Sequence, residues 1–353
     1  EVLTTLDPAS TLFAVCSKTF TTTEMMANAH RARDWIVENL GEQAVSKHMI
    51  AVSADTEKAT SFGIPEDSVF PIWDWVGGRF SLWSAMSVSA IIACGYEVFD
   101  QFLAGAEAMD RHFETASLGQ NLPVILAMIG VWHSDFLGAS AHAVLAYDHA
   151  LRLLPAHIQQ LDMESNGKGV SVDGTPLDVN AGSVVFGGSG SDSQHSFFQL
   201  LHQSPRLISS DFIAALSGGD QINRDLLLSN VFGQTEALMM GRAPSDLDSV
   251  PEHLRAHRAF PGNRPTTTLL LDDLSPYAVG MLVALYEHKI FVQSLVWGIN
   301  AFDQWGVELG KKAARSLEAA LAGEPDAVKA LEDGNSSTAG LVAAYLAVKQ
   351  AAP

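Results

Sequence analysis

Three short apolar runs, Thr11-Leu12-Phe13-Ala14-Val15-Cys16, His48-Met49-Ile50-Ala51-Val52-Ser53 and Val69-Phe70-Pro71-Ile72, are separated by helix-patterned stretches, and this order constrains the fold most. A short run that is apolar without alternation reads as a strand buried on both faces. Strand, helix, strand, helix, strand then calls for a parallel sheet with helices laid over it. The helical stretches begin at Thr23-Glu24, running through Arg33, Trp35 and Ile36, and at Asp55.

Further along, helical patterns are expected over residues 82–96, 104–113, 124–136, 150–160, 221–240 and 276–300, with strands at Ser183-Val184-Val185-Phe186 and over 206–213. Residues 243–268 are polar and proline-bearing and read as a long surface loop. Asp272 and Asp273 ahead of Ser275-Pro276 mark a strong helix start. These changes of pattern divide the chain into 1–90, 91–305 and a helical arm over 306–353.

With 353 residues, 47% of them hydrophobic, the chain can bury a large core. Its formal charge of −19 argues against nucleic-acid or anionic-membrane partners but leaves room for a small anion held by local cations. The apolar stretches 80–96 and 277–300 read as core helices: the first is short and serine-rich, and the second has Glu287, His288 and Lys289 at its middle. Cys16 and Cys94 lie in apolar runs and read as buried, reduced thiols of a cytoplasmic protein. The start, Glu1-Val2-Leu3-Thr4, has neither an initiator Met nor a signal peptide, so the chain is expected to begin inside a longer one.

Several segments carry groups suited to chemistry. In Asp162-Met163-Glu164-Ser165-Asn166-Gly167-Lys168, a carboxylate stands where a helical pattern gives way to a turn, and is either a base or a solvated turn residue. Ser17-Lys18-Thr19-Phe20-Thr21-Thr22 is a hydroxyl-rich turn before a helix, either an ordinary cap or an anion cradle. Gly77-Gly78 precede Arg79, which either holds a carboxylate structurally or faces a reacting group. The glycine and serine loop over 187–193 lacks the Lys-Ser/Thr ending of a nucleotide loop. His253 and His257 have metal-ligand spacing without an evident third ligand, so no metal site is expected.

Together, Asp74-Trp75-Val76-Gly77-Gly78-Arg79-Phe80-Ser81, the 17–22 turn, the Glu164 segment, Gln194-His195-Ser196-Phe197-Phe198-Gln199-Leu200 and Phe302-Asp303-Gln304-Trp305-Gly306-Val307-Glu308-Leu309-Gly310-Lys311 resemble the glucose-6-phosphate isomerases over nearly the whole chain. Phe186 stands where the family usually has Trp, and Ser191-Asp192-Ser193 where it has Thr-Asn-Gly. The resemblance implies an α/β protein built of parallel-sheet sugar-isomerase (SIS-like) α-β-α sandwich domains, the first incomplete, with a helical C-terminal tail. It implies interconversion of glucose 6-phosphate and fructose 6-phosphate without metal or organic cofactor. Glu164 would be the base, Arg79 would stabilise the enediolate, and His195 with Lys311 would open the ring. Ser17, Lys18, Thr19, Thr22 and Gln160 match the phosphate-holding positions, and Gln304 a further substrate-binding one. A homodimer is implied, with His195 completing the partner's site. The alternative is a non-catalytic, sugar-phosphate-binding regulatory module; a binder, however, has no use for Glu164, Arg79, His195 and Lys311 together. The isomerases also carry a substantial region before the point matching Glu1, including a Gly-Ser phosphate loop, so this chain alone is expected to bind and turn over weakly.

Overall fold

The computed structural model describes residues 2–351 and divides into two compact units, Glu1–Ala301 and Phe302–Pro353. The first unit holds two separate parallel sheets. In one, β1 (Phe13–Cys16), β2 (Met49–Ser53) and β3 (Val69–Pro71) lie in that order, with Val15 opposite Ala51 and Val52 opposite Phe70. In the other, β4 (Ala141–Ala146), β5 (Val184–Ser189), β6 (Ile208–Ala215) and β7 (Thr266–Leu271) run in the order β5-β4-β6-β7. Every residue of β6 is buried, as a central strand covered on both faces requires.

The main core lies between this sheet and its helices: Val144 and Ile213 meet Ile158 and Leu161 of helix Leu154–Asn166 and Tyr286 and Ile290 of helix Pro276–Trp297. By length and composition Pro276–Trp297 is apolar enough to cross a membrane, but 56% of its apolar window is buried in the protein and Lys289 lies within it. It is the central core helix. Its tightest crossing is with helix Tyr96–Thr115. There a Cβ on Gly105 would stand 1.9 Å from the Tyr277 carbonyl oxygen, and one on Gly280 would stand 2.0 Å from that of Phe102.

Several local expectations change. The stretch 82–96 is not one helix: 3-10 turns Gly78–Trp83 and Ala85–Ser87 precede helix Val88–Cys94, and Gly95 (φ 92°) ends it before Tyr96 starts the next. Serine is the local cause, since Ser84 Oγ accepts from the Met86 N–H and so competes with helical pairing. The helix over 150–160 instead runs to Asn166, which puts Glu164 inside its last turn. Gly187–Ser189 complete β5, and Gly190–Gln194 form a short helix. The polar stretch 243–268 contains helix Glu252–Arg258 and the start of β7. Cys94 is exposed rather than buried, because its helix turns that face outward; both cysteines are free.

Replacing Gly280 by Ala should therefore force the two helices apart and lower the unfolding free energy by about 1–3 kcal/mol in denaturant titration. A change below about 0.5 kcal/mol would show that the crossing has room for a methyl group.

Candidate active site

Arg79 is 3% exposed and sits in the 3-10 turn Gly78–Trp83, directly after two glycines. A buried guanidinium is tolerated only when its donors are met. Nε donates to Ser165 Oγ at 2.7 Å, Nη2 donates to the Ala301 carbonyl at 2.6 Å, and Nη1 lies 3.2 Å from Glu164 Oε2. The helix Leu154–Asn166 thus presents two consecutive side chains, those of Glu164 and Ser165, to one cation.

Glu164 is held from a second side by its own helix. Gln160, one turn earlier, donates from Nε2 to Glu164 Oε2 at 3.0 Å. Both bonds use Oε2; Oε1 has no hydrogen bond among the described residues, and the side chain keeps 23% exposure. A carboxylate with one oxygen pinned and one open, beside a fixed positive charge, is equipped to take a proton next to a carbonyl while the charge developing on oxygen is stabilised.

The turn after β1 is a second polar cluster. Ser17 is 4% exposed and its Oγ has no partner among the described residues, while its N–H donates to the Val52 carbonyl at 3.0 Å. Phe20 adopts a left-handed φ of 50°, and the Thr19 and Thr21 hydroxyls are 2.8 Å apart. Thr22 precedes helix Thr23–Leu40 without capping it by its side chain, so the first-turn N–H groups stay available beside Lys18 and the hydroxyls. This set suits an anion.

The other expected residues lie elsewhere along the chain. His195 is exposed just after helix Gly190–Gln194, and its ring has no hydrogen bond or ion pair among the described residues. Gln304 and Lys311 belong to the second unit, where both are exposed, Lys311 within helix Gly306–Ala322. Sequence reasoning missed Ser165 and the Ala301 carbonyl as partners of Arg79. The only hint was a small hydroxyl next to the candidate base; a backbone carbonyl leaves none.

Two further polar clusters lie in the first unit. On the sheet side, His142 Nδ1 and Ser209 Oγ are 2.9 Å apart, His142 Nε2 lies 2.9 Å from Asp211 Oδ2, and the Tyr286 hydroxyl donates to that same oxygen at 2.8 Å. Burial pushes the Asp211 carboxyl up, but His142, Lys289 and the Tyr286 hydroxyl outweigh it and hold the group at about 2. His142 is therefore a packed histidine held between Ser209 and Asp211. On the other side, Trp83 Nε1 donates to Glu287 Oε2 at 2.7 Å and so ties the turn carrying Arg79 to helix Pro276–Trp297. Burial raises the Glu287 carboxyl to about 7; the Trp83 bond pulls it down and Asp110 adds a smaller upward push.

Comparison with known proteins adds an independent line. The Phosphoglucose isomerase family model matches residues 1–342. The chain is 48% identical to a glucose-6-phosphate isomerase of Corynebacterium glutamicum (strain R), an alignment covering 98% of this chain and 65% of that one. It is 49% identical to one from Brucella ovis over 97% of this chain and 64% of the other. Among solved structures, a glucose-6-phosphate isomerase from Chlamydia trachomatis superposes with a TM-score of 0.83 at 36% identity, covering 95% of this chain and 64% of that one. The chain thus spans somewhat less than two thirds of the length of these relatives.

The Glu287 geometry yields a pH prediction. Because its folded value, about 7, lies above the usual 4.5, the folded state holds more protons between those values, and stability falls as pH rises from about 4.5 to about 7. Glu287→Gln retains an acceptor for Trp83 and does not ionise. It should gain stability relative to the parent on going from pH 5 to pH 8, by at most on the order of 3 kcal/mol. Parallel stability curves for the two proteins across that range would contradict the assignment.

Proposed function

The chain belongs to the phosphoglucose isomerase family, and from that premise we propose that it carries the proton-transfer site of an aldose-ketose isomerase interconverting glucose 6-phosphate and fructose 6-phosphate. The observation that carries this reading is the pairing of Glu164 Oε2 with buried Arg79 while Oε1 stays open. In the open-chain aldose, Glu164 Oε1 takes the proton from C2, the electrons move into a C1–C2 double bond, and negative charge appears on oxygen. Arg79 stabilises that charge. The O2 hydroxyl proton then passes to O1; return of the proton from Glu164 to C1 and re-formation of the carbonyl at C2 gives the ketose, so nothing is gained or lost overall.

The other residues divide the remaining work. Ser17, Lys18, Thr19 and Thr22, with Gln160, hold the phosphate, for which the unpartnered Ser17 hydroxyl and the uncapped helix start give support. His195 and Lys311 open the ring, and Gln304 contacts the sugar. We place His195 in the site of a second copy of the chain, consistent with an exposed ring that has no partner among the described residues.

In a coupled assay of fructose 6-phosphate conversion, Glu164→Gln should lower turnover at least about 100-fold while binding of a sugar-phosphate analogue changes little. Turnover within about tenfold of the parent, roughly 1.4 kcal/mol of barrier, would exclude Glu164 as the proton carrier. For the shared site, mixing inactive Glu164→Gln and His195→Ala chains should restore activity through hybrid dimers. Hybrids that form but stay inactive would place each site within one chain.

A further inference from the structure

We propose that Lys168 is a positioning residue for Glu164: by capping the end of helix Leu154–Asn166 with its ammonium, it fixes the backbone from which the base projects. The last four carbonyls of a helix have no intrahelical partner, and here all four are met within two residues. The Met163 carbonyl accepts from the Gly167 N–H at 3.1 Å, and that of Asn166 from the Lys168 N–H at 2.7 Å. The two between them, of Glu164 and Ser165, accept from Lys168 Nζ at 2.9 and 2.8 Å. The residues so capped are the two whose side chains grip Arg79.

The chain is shaped for this return. A Cβ on Gly167 would stand 2.4 Å from the Met163 carbonyl oxygen, so only glycine lets the backbone turn tightly enough for Lys168 to fold back. Across the same end, a Cβ on Gly182 (φ 75°) would stand 2.7 Å from the Asn166 carbonyl oxygen, which packs a second segment against the cap. A helix C-terminus is the negative end of its dipole, an unfavourable place for a carboxylate; the Lys168 ammonium offsets that end at the turn that bears Glu164. Because a misplacement of about 1 Å can cost on the order of 100-fold in rate, loss of the cap should appear in turnover rather than in substrate binding.

The functional part of this proposal rests on the isomerase reading; the structural part does not. Two measurements on the full chain separate them. Lys168→Met should speed amide hydrogen exchange at Gly167 and Lys168's position, lower kcat at least about tenfold and leave KM within about twofold, and Lys168→Arg should restore most of kcat. If Lys168→Met does not fold, Lys168→Gln, which keeps a shorter, uncharged donor group, takes its place in both measurements. A folded variant with kcat within twofold of the parent, or a loss of kcat that Arg does not restore, overturns the positioning role. A parent chain with no turnover at all, below even the weak turnover expected of it, would defeat the isomerase reading instead, and unchanged hydrogen exchange in the variant would then still overturn the cap.

Discussion

Burial of the Arg79 guanidinium is the constraint on which the site depends. Removing such a group from water costs several kcal/mol unless fixed acceptors replace the lost hydration. Its acceptors include Ser165 and the Ala301 carbonyl, 86 and 222 residues away along the chain, and Glu164. The turn Gly78–Trp83, the end of helix Leu154–Asn166 and the segment after helix Pro276–Trp297 must therefore all arrive together before the cation can be enclosed. Folding and formation of the site are thus coupled by one charge.

The same helix shows how one element carries two opposite carboxyl environments. Asp162 is 3% exposed, and burial pushes its carboxyl up, opposed by the nearby charges of Lys289 and His142. Glu164, two residues on, faces outward far enough to meet a substrate and is pinned by Arg79. Around the helix, Asp162, Ser165 and Asn166 form a buried polar face, and the Asn166 amide donates to the Ile290 carbonyl at 3.3 Å. Rotation of the helix about its axis would break the Asn166 bond to the Ile290 carbonyl and the Ser165 bond to Arg79 together. The acidic surface of the whole chain matters little at this scale, since the charges next to Glu164 are cationic.

Much of this architecture was readable in the sequence, and the failures have physical causes. The strands at Phe13, Met49 and Val69 and the helices over 221–240 and from Pro276 are legible because continuous apolar runs, helical patterning and a Ser-Pro start after Asp272 and Asp273 are local signals. β4 did not, since Ala141-His142-Ala143-Val144-Leu145-Ala146 is poor in β-branched residues and owes its strand to neighbours on both sides. Glu164 reads in sequence as a turn residue, because the turn chemistry of Asn166-Gly167 lies close behind it, whereas the helix runs on to Asn166. Ser165, the Ala301 carbonyl and the Lys168 cap were not found: their roles exist only once distant or folded-back groups meet. Those of His195, Gln304 and Lys311 came from resemblance alone.

On the proposed reading, a planar guanidinium held by Ser165, the Ala301 carbonyl and Glu164 is what equips Glu164 for proton transfer. Arg79→Lys tests it most directly, because lysine keeps the charge but cannot reach Ser165, Glu164 and the Ala301 carbonyl with one fork of donors. Measured by conversion of fructose 6-phosphate, with folding checked by near-ultraviolet circular dichroism, the variant should lose at least about 100-fold in kcat while keeping its tertiary signal. A folded Arg79→Lys protein turning over within about tenfold of the parent would contradict the account, since charge alone would then suffice.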